Sequence, residues 1–269
     1  MSGRIIGFLS GKGGVGKTTL TINLGAALSH FFKKKVVILD CNLTTSHLGL
    51  TLGIHHAPIA LNHVLRGEAL LEDAIYPHNS GMHVIPASLR MQEMAGVDLI
   101  KTKPIAKMLA KNYDFVLLDC GPGVGREALA GLNSSEELLF IATPTLPSVM
   151  DILRYSEYLQ NSDKKKLGVV LNMIQKGESQ MSSSQVEKIS NLPVISKIPR
   201  DSFIPQAQAA EVPAVLAFPE SKAVKQMMNL ARHLAGLPIQ QEIRVGPIES
   251  IRERAIYFFE RIKNFPSLD

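Results

Sequence analysis

The stretch Gly11-Lys12-Gly13-Gly14-Val15-Gly16-Lys17-Thr18-Thr19 limits what this chain can fold into. An apolar run, Ile5 to Leu9, precedes it, and an amphipathic run, Leu20 to Phe32, follows it. Strand, glycine-rich turn and helix together form the context a phosphate-binding loop needs. Gly11, Gly16, Lys17 and Thr18 satisfy the G-x-x-x-x-G-K-[ST] spacing. Glycines let the backbone N–H groups of Gly13 to Thr19 turn toward an anion without Cβ clashes. The helix N-terminus behind them adds partial positive charge. In this arrangement Lys17 reaches the terminal phosphates and the Thr18 hydroxyl ligates Mg²⁺.

Of the 269 residues, 45% are hydrophobic and 20% charged, enough for one large α/β domain with its own core. No apolar run is long enough for a spanning helix. The apolar N-terminus reads as a first strand and not as a signal peptide, because the loop follows at once. Cys41 and Cys120 are the only cysteines, and each follows an aspartate at a strand end. Two thiols without a disulfide framework fit a reducing cytoplasm. The net charge of +5 permits contact with nucleic acid or anionic lipid but requires neither.

Continuous apolar strands are expected at Ile5–Leu9, Lys35–Leu39, Met82–Pro86, Phe115–Leu118, Leu138–Ala142, Leu167–Leu171 and Val194–Ile198. Helices are expected at Thr18–Phe32, Asp98–Lys111, Ser148–Gln160, Ser183–Asn191 and Ser221–Leu234. The alternation predicts a single doubly wound, mostly parallel sheet with helices on both faces. Ligands of such sheets bind at the strands' carboxyl ends, which puts the loop, Asp40 and Asp119 on one edge. Polar, serine-rich Gln175 to Ser184 reads as a loop. Residues 1–236 form this domain. Residues 237–249, with Pro238, Gly246 and Pro247, read as a linker, and 250–269 carry a C-terminal amphipathic helix.

Asp119 ends Phe-Val-Leu-Leu-Asp, the physical content of a Walker B strand whose carboxylate lies one shell from Mg²⁺. Lys12 turns the loop into K-G-G-V-G-K-T-T, which resembles the deviant Walker A of the MinD/ParA ATPase family, with MinD proteins the most similar branch. Asp119-Cys120-Gly121-Pro122-Gly123 resembles that family's switch II. Leu171-Asn172 and Ile198-Pro199-Arg200-Asp201 resemble its two base-contact segments, with Met173 where arginine is usual. Gln206 to Val215 is similar to the segment that follows, with Glu211 in place of glycine. The resemblance implies a P-loop NTPase fold of the SIMIBI class and an ATPase that takes ATP with Mg²⁺. It also implies a nucleotide-sandwich homodimer in which Lys12 reaches the partner's nucleotide, with Asn172, Pro199, Arg200 and Asp201 around the base.

One position departs from the pattern. The family's switch I begins Asp-x-Asp, and the second aspartate orients the attacking water. Here Asp40 keeps the first position and Asn42 takes the second. Asparagine hydrogen-bonds a water but cannot accept its proton, so slow hydrolysis is expected. Ser46 and His47 replace the arginine and asparagine usual in MinD proteins. His47 on a loop is more simply solvated than functional.

Over Ser250 to Phe265, Ile251, Ala255, Phe258, Phe259, Ile262 and Phe265 fall within an arc of roughly 100°. Arg252, Arg254, Arg261 and Lys263 flank the arc, and Glu253 and Glu260 lie opposite. This is the layout of a helix lying on an anionic membrane surface, though a protein groove is the alternative occupant. The MinD resemblance implies the same kind of short membrane-targeting helix. The expected role is an ATP-dependent dimerising switch. It would sit peripherally at the inner face of the cell membrane and position cell-division machinery together with an unidentified activator or client. The alternatives are a flagellar-number regulator, whose extra N-terminal segment is not seen before the first strand, a ParA-like DNA partitioner, and a nucleotide-locked scaffold. Nucleic acid is not the expected partner, because Lys33-Lys34-Lys35 and Lys164-Lys165-Lys166 read as solvated loop charges.

Overall fold

The structure, a computed structural model, describes residues 2–175 and 179–238. The helix expected at 250–265 and nearly all of the expected linker lie outside the described residues.

Eight strands form one sheet: β1 (Arg4–Leu9), β2 (Val36–Cys41), β3 (Tyr76–Pro77), β4 (His83–Ile85), β5 (Phe115–Cys120), β6 (Glu137–Ala142), β7 (Lys165–Ile174) and β8 (Val194–Pro199). Their order is β3-β4-β2-β5-β1-β6-β7-β8. Every pairing is parallel except the short antiparallel edge of β3 on β4. The seven expected strands are present, and β3 was not foreseen. Two residues carry no periodicity, and Pro77 is tolerated there because an edge strand need not donate on its outer side.

The central strands are apolar between their charged ends, Arg4, Asp40, Asp119 and Glu137, because helices cover both faces. The two-residue alternation of a strand then splits the core into two layers. Ile6, Phe8, Ile38, Leu117, Leu139 and Ile141 face a layer with Leu20, Leu24, Leu28, Met227 and Leu230. Ile5, Leu9, Val37, Leu39, Val116, Leu118 and Phe140 face the other, with Ile105, Leu109, Leu132, Val149 and Tyr155. Each fully buried Leu, Ile or Phe contributes about 1.5–3 kcal/mol.

The first helix runs Lys17–Ala26 and continues as a π-helical turn, Ala27–Phe31, close to the expected span. Helices at Thr102–Leu109, Leu146–Tyr158, Ser183–Ser190 and Lys222–Leu234 match the others. Ser182 and Gln185 close a capping box, so the serine-rich stretch ends by starting a helix. The chain leaves β1 toward β2 on one side, while β6 lies on the other. The crevice therefore opens at the carboxyl end of β1, where the glycine-rich loop begins. Among the described residues, no helix is long and apolar enough to cross a membrane. Both cysteines are free and buried.

Candidate functional site

Positive φ at Gly14 (78°) and Gly16 (87°) wraps the loop between β1 and the first helix. Gly16 meets a second demand: a Cβ there would lie 2.3 Å from the Asn172 amide nitrogen, so only glycine lets β7 approach. That amide donates to the Val15 carbonyl at 2.8 Å and fastens the loop to the end of β7. The Val15 side chain is in the core, so its part in the site is its backbone.

The charged heart of the site lies behind the loop. Pairing β2 with β5 sets Asp40 beside Asp119 in register. Asp119 is buried and accepts from Lys17 Nζ at 2.7 Å and from Thr18 Oγ1 at 2.6 Å. Burial alone would lower the Lys17 pKa, but the Asp119 charge and hydrogen bond outweigh it and the net shift is upward. Asp40 is fully buried, and its carboxyl is pushed up to about 7, first by burial and then by the Asp119 charge. Ser46 Oγ, donating at 2.5 Å, and the Asn42 N–H, at 3.1 Å, oppose that rise. Thr18 and these carboxylates supply oxygen donors alone, the set that suits Mg²⁺. No cluster of three His, Cys, Asp or Glu among the described residues could hold a metal unaided. A Mg²⁺ here would thus rest on Thr18, phosphate oxygens and water, which is how the ion usually binds.

The loop opens into a cleft of about 860 Å³. Lys12, Gly13, Gly14, Gly16, Lys17, Thr18 and Thr19 form one wall, and Asn172, Pro199, Arg200 and Asp201 form another. The residues expected at phosphate and base therefore share one cavity. Lys12 is exposed, as are Gly13 and Gly14. Asp201 is occupied structurally: it accepts from Ser221 Oγ at 2.7 Å and from the Phe203 N–H at 3.0 Å. Burial alone would raise its pKa, but these hydrogen bonds lower it. Gly11 and Gly121 do not line the cleft. Gly11 packs against Asp151, and Gly121 against Glu127.

Asn42 lines the cleft, but its amide closes a local turn. Nδ2 donates to the Thr45 carbonyl at 2.7 Å, and Oδ1 accepts from Thr45 Oγ1 at 3.0 Å. His47 is exposed on the same rim. Sequence reasoning missed several neighbours. Thr44 donates through its N–H and its hydroxyl to Glu127, tying the loop after β2 to the Arg126–Ser134 helix. Gln208 donates to Thr19 Oγ1 at 2.8 Å, from the segment already matched to the family. The Gly123 N–H donates to the Ser10 carbonyl at 2.9 Å, and the Gly123 carbonyl accepts from Tyr155. No local pattern marks Glu127 or Tyr155 in the sequence.

Comparison with known proteins agrees with this geometry. A model of the ParA family, described as NUBPL iron-transfer P-loop NTPase, matches residues 2–235. The septum site-determining protein MinD of Thermotoga maritima is 29% identical over 278 residues, covering 97% of this chain and 99% of that protein. The crystal structure of Pyrococcus furiosus cell division ATPase MinD superposes with a TM-score of 0.83 at 34% identity, covering 88% of this chain and 100% of that one. Pyrococcus horikoshii MinD complexed with Mg-ADP gives a TM-score of 0.82 at 33% identity over 86% of this chain and 95% of that one. The chain belongs to the ParA/MinD family of P-loop NTPases and is of the cell-division ATPase kind that MinD represents.

Proposed function

We propose that this protein binds ATP with Mg²⁺ in the 860 Å³ cleft, dimerises when it does so, and acts as a MinD-like switch on a membrane. The observation that carries the reading is the meeting of Lys17 and Thr18 on one buried carboxylate, Asp119, at the foot of a glycine loop. Asp119 then holds in place the two side chains that phosphoryl-transfer chemistry needs, the phosphate cation and the metal hydroxyl. Exposed Lys12 supports a dimer, because two nucleotides facing each other need a further cation against phosphate repulsion. The amphipathic 250–265 segment supports a peripheral place at the inner face of the cell membrane, where a dimer's two copies would gain avidity.

The Asn42–Thr45 turn favours a second reading, a switch that hydrolyses slowly and stays ATP-bound. One experiment tests the main proposal. Vesicle sedimentation is run with ATP, ADP and no nucleotide, on the wild type, Lys12→Ala and Phe258→Glu/Phe259→Glu. ATP should drive wild-type sedimentation. Lys12→Ala should bind ATP yet remain monomeric in light scattering and in the supernatant. The double variant should dimerise but stay off the vesicles. Sedimentation indifferent to nucleotide, or retained by the double variant, sinks the reading.

A further inference from the structure

The helix Phe203–Ala209 walls the nucleotide cleft through Ile204, Pro205 and Gln208. It ends on Glu211, whose φ of 58° is left-handed. The Glu211 N–H donates to the Gln208 carbonyl and the Val212 N–H to the Ala207 carbonyl, both at 3.0 Å. Glycine takes such a helix end without a Cβ clash, and glycine is what the resembling family segment carries there. Glutamate holds the position against a steric penalty, and its carboxylate makes a contact that glycine cannot.

That carboxylate accepts from His55 Nε2 at 2.9 Å. His55 lies on the stretch after β2 that also supplies Asn42, Thr45, His47 and Thr51 to the cleft. Gly53, itself at φ 71°, lets the two segments close on each other. A Cβ there would lie 3.1 Å from Glu211 Oε2 and 3.7 Å from Glu211 Cβ. Beneath the contact, Leu52 and Val212 pack on the same core layer. The Gln208 amide meanwhile donates to Thr19 Oγ1 at 2.8 Å. The Phe203–Ala209 wall is therefore tied to the first helix by Gln208 and to the stretch after β2 by Glu211.

We propose that His55 and Glu211 form a clasp that joins the loop after β2 to the base-side wall and slows the release of bound nucleotide. The proposal rests on the reading of this cleft as the ATP site. A nucleotide with its phosphates in the glycine loop and its base against Pro199, Arg200 and Asp201 lies beside the Phe203–Ala209 wall. It leaves when that wall gives. The two ends of the clasp sit on different walls, so breaking it lets one move without the other. Neither side chain lines the cleft, so both are positioning residues.

The test loads the full chain with N-methylanthraniloyl-ADP and Mg²⁺ and follows release by stopped-flow fluorescence after excess ADP is added. Wild type, His55→Ala, Glu211→Gly and the double variant are compared. The side chains are 60% and 40% exposed, so each single variant should speed release about two- to fivefold. The double variant should release no faster than the singles, because all three lose one and the same contact. His56→Ala, next along the chain, should release at the wild-type rate. Glu211→Gly should also hold or raise the melting temperature, since glycine relieves the left-handed position. Retention and stability then move apart, which a merely structural contact would not produce. Wild-type release by His55→Ala overturns the clasp. Multiplied effects in the double variant, or a melting temperature that falls in Glu211→Gly, overturn it as well. A wild type that binds no fluorescent ADP overturns the ATP-site reading itself, and the clasp with it.

Discussion

Two loops meet at the carboxyl edge of the sheet and are held in opposite ways. The glycine loop is anchored by charge, with Lys17 and Thr18 on the buried Asp119. In the loop after β2, Thr44 is tied to the Glu127 carboxylate, but Asn42 itself is held by neutral bonds alone, its amide closed on Thr45 at both ends. An anchored cation and hydroxyl leave little to reorganise when phosphate and metal arrive. An amide already engaged on both sides has one N–H and one lone pair left for a water. Ligand binding and water activation are thus prepared to different degrees in neighbouring loops.

The largest expected effect breaks the charged side. Asp119→Ala leaves the Lys17 ammonium buried and unpaired, which typically costs about 3–5 kcal/mol. Urea denaturation should show that loss, and calorimetry should show ATP binding falling with it. A variant of unchanged stability would mean that Lys17 finds another partner and that the anchor is not essential.

The next effect sharpens the neutral side. Asn42→Asp removes the donor to the Thr45 carbonyl, at a cost of about 1 kcal/mol, and supplies a group that can accept the water's proton. Phosphate release should rise about 10²-fold, the lower end of the 10²–10⁴ that general-base help usually gives. Equal rates in both proteins would show that something other than this side chain activates the water.

The smallest effect reads the boundary between the loops. Asp40 has a folded pKa raised to about 7. The folded state therefore holds its proton more tightly than the unfolded chain, and the associated stability is complete below about pH 4. It is lost as pH rises through 7. Denaturation at pH 5 and pH 7 should differ by at least about 1 kcal/mol more in the wild type than in Asp40→Asn. Parallel curves would place the proton elsewhere.

How far the sequence carries depends on how local each feature is. The glycine loop and the strand run into Asp119 were legible because each is written in consecutive residues. The register of β2 on β5, which makes Asp40 and Asp119 neighbours and sets their electrostatics, belongs to two segments far apart. The Arg126–Ser134 helix was not foreseen. Its Gly131 weakens a helical pattern, yet glycine is required there, since a Cβ would lie 2.4 Å from Cys120 Sγ on β5. Asn42 was legible as a departure. Its closure on Thr45 was not, because asparagine offers the same donors to water and to a turn. Ser46 stood out only as a replaced residue, and its bond to Asp40 needed the fold of the loop.

The Gly123 backbone, its N–H held by the Ser10 carbonyl and its own carbonyl held by the Tyr155 hydroxyl, forms a fulcrum. The lever arm on the cleft side is Gly121-Pro122, and Pro122 lines the cavity. The arm on the far side is the Leu146–Tyr158 helix, which carries Tyr155 inward and Leu146, Met150 and Tyr158 outward to solvent. A push on Pro122 that moves the fulcrum must break one grip or carry that helix with it. Mechanically, the state of the cleft and the pose of an exposed apolar ridge share one pivot.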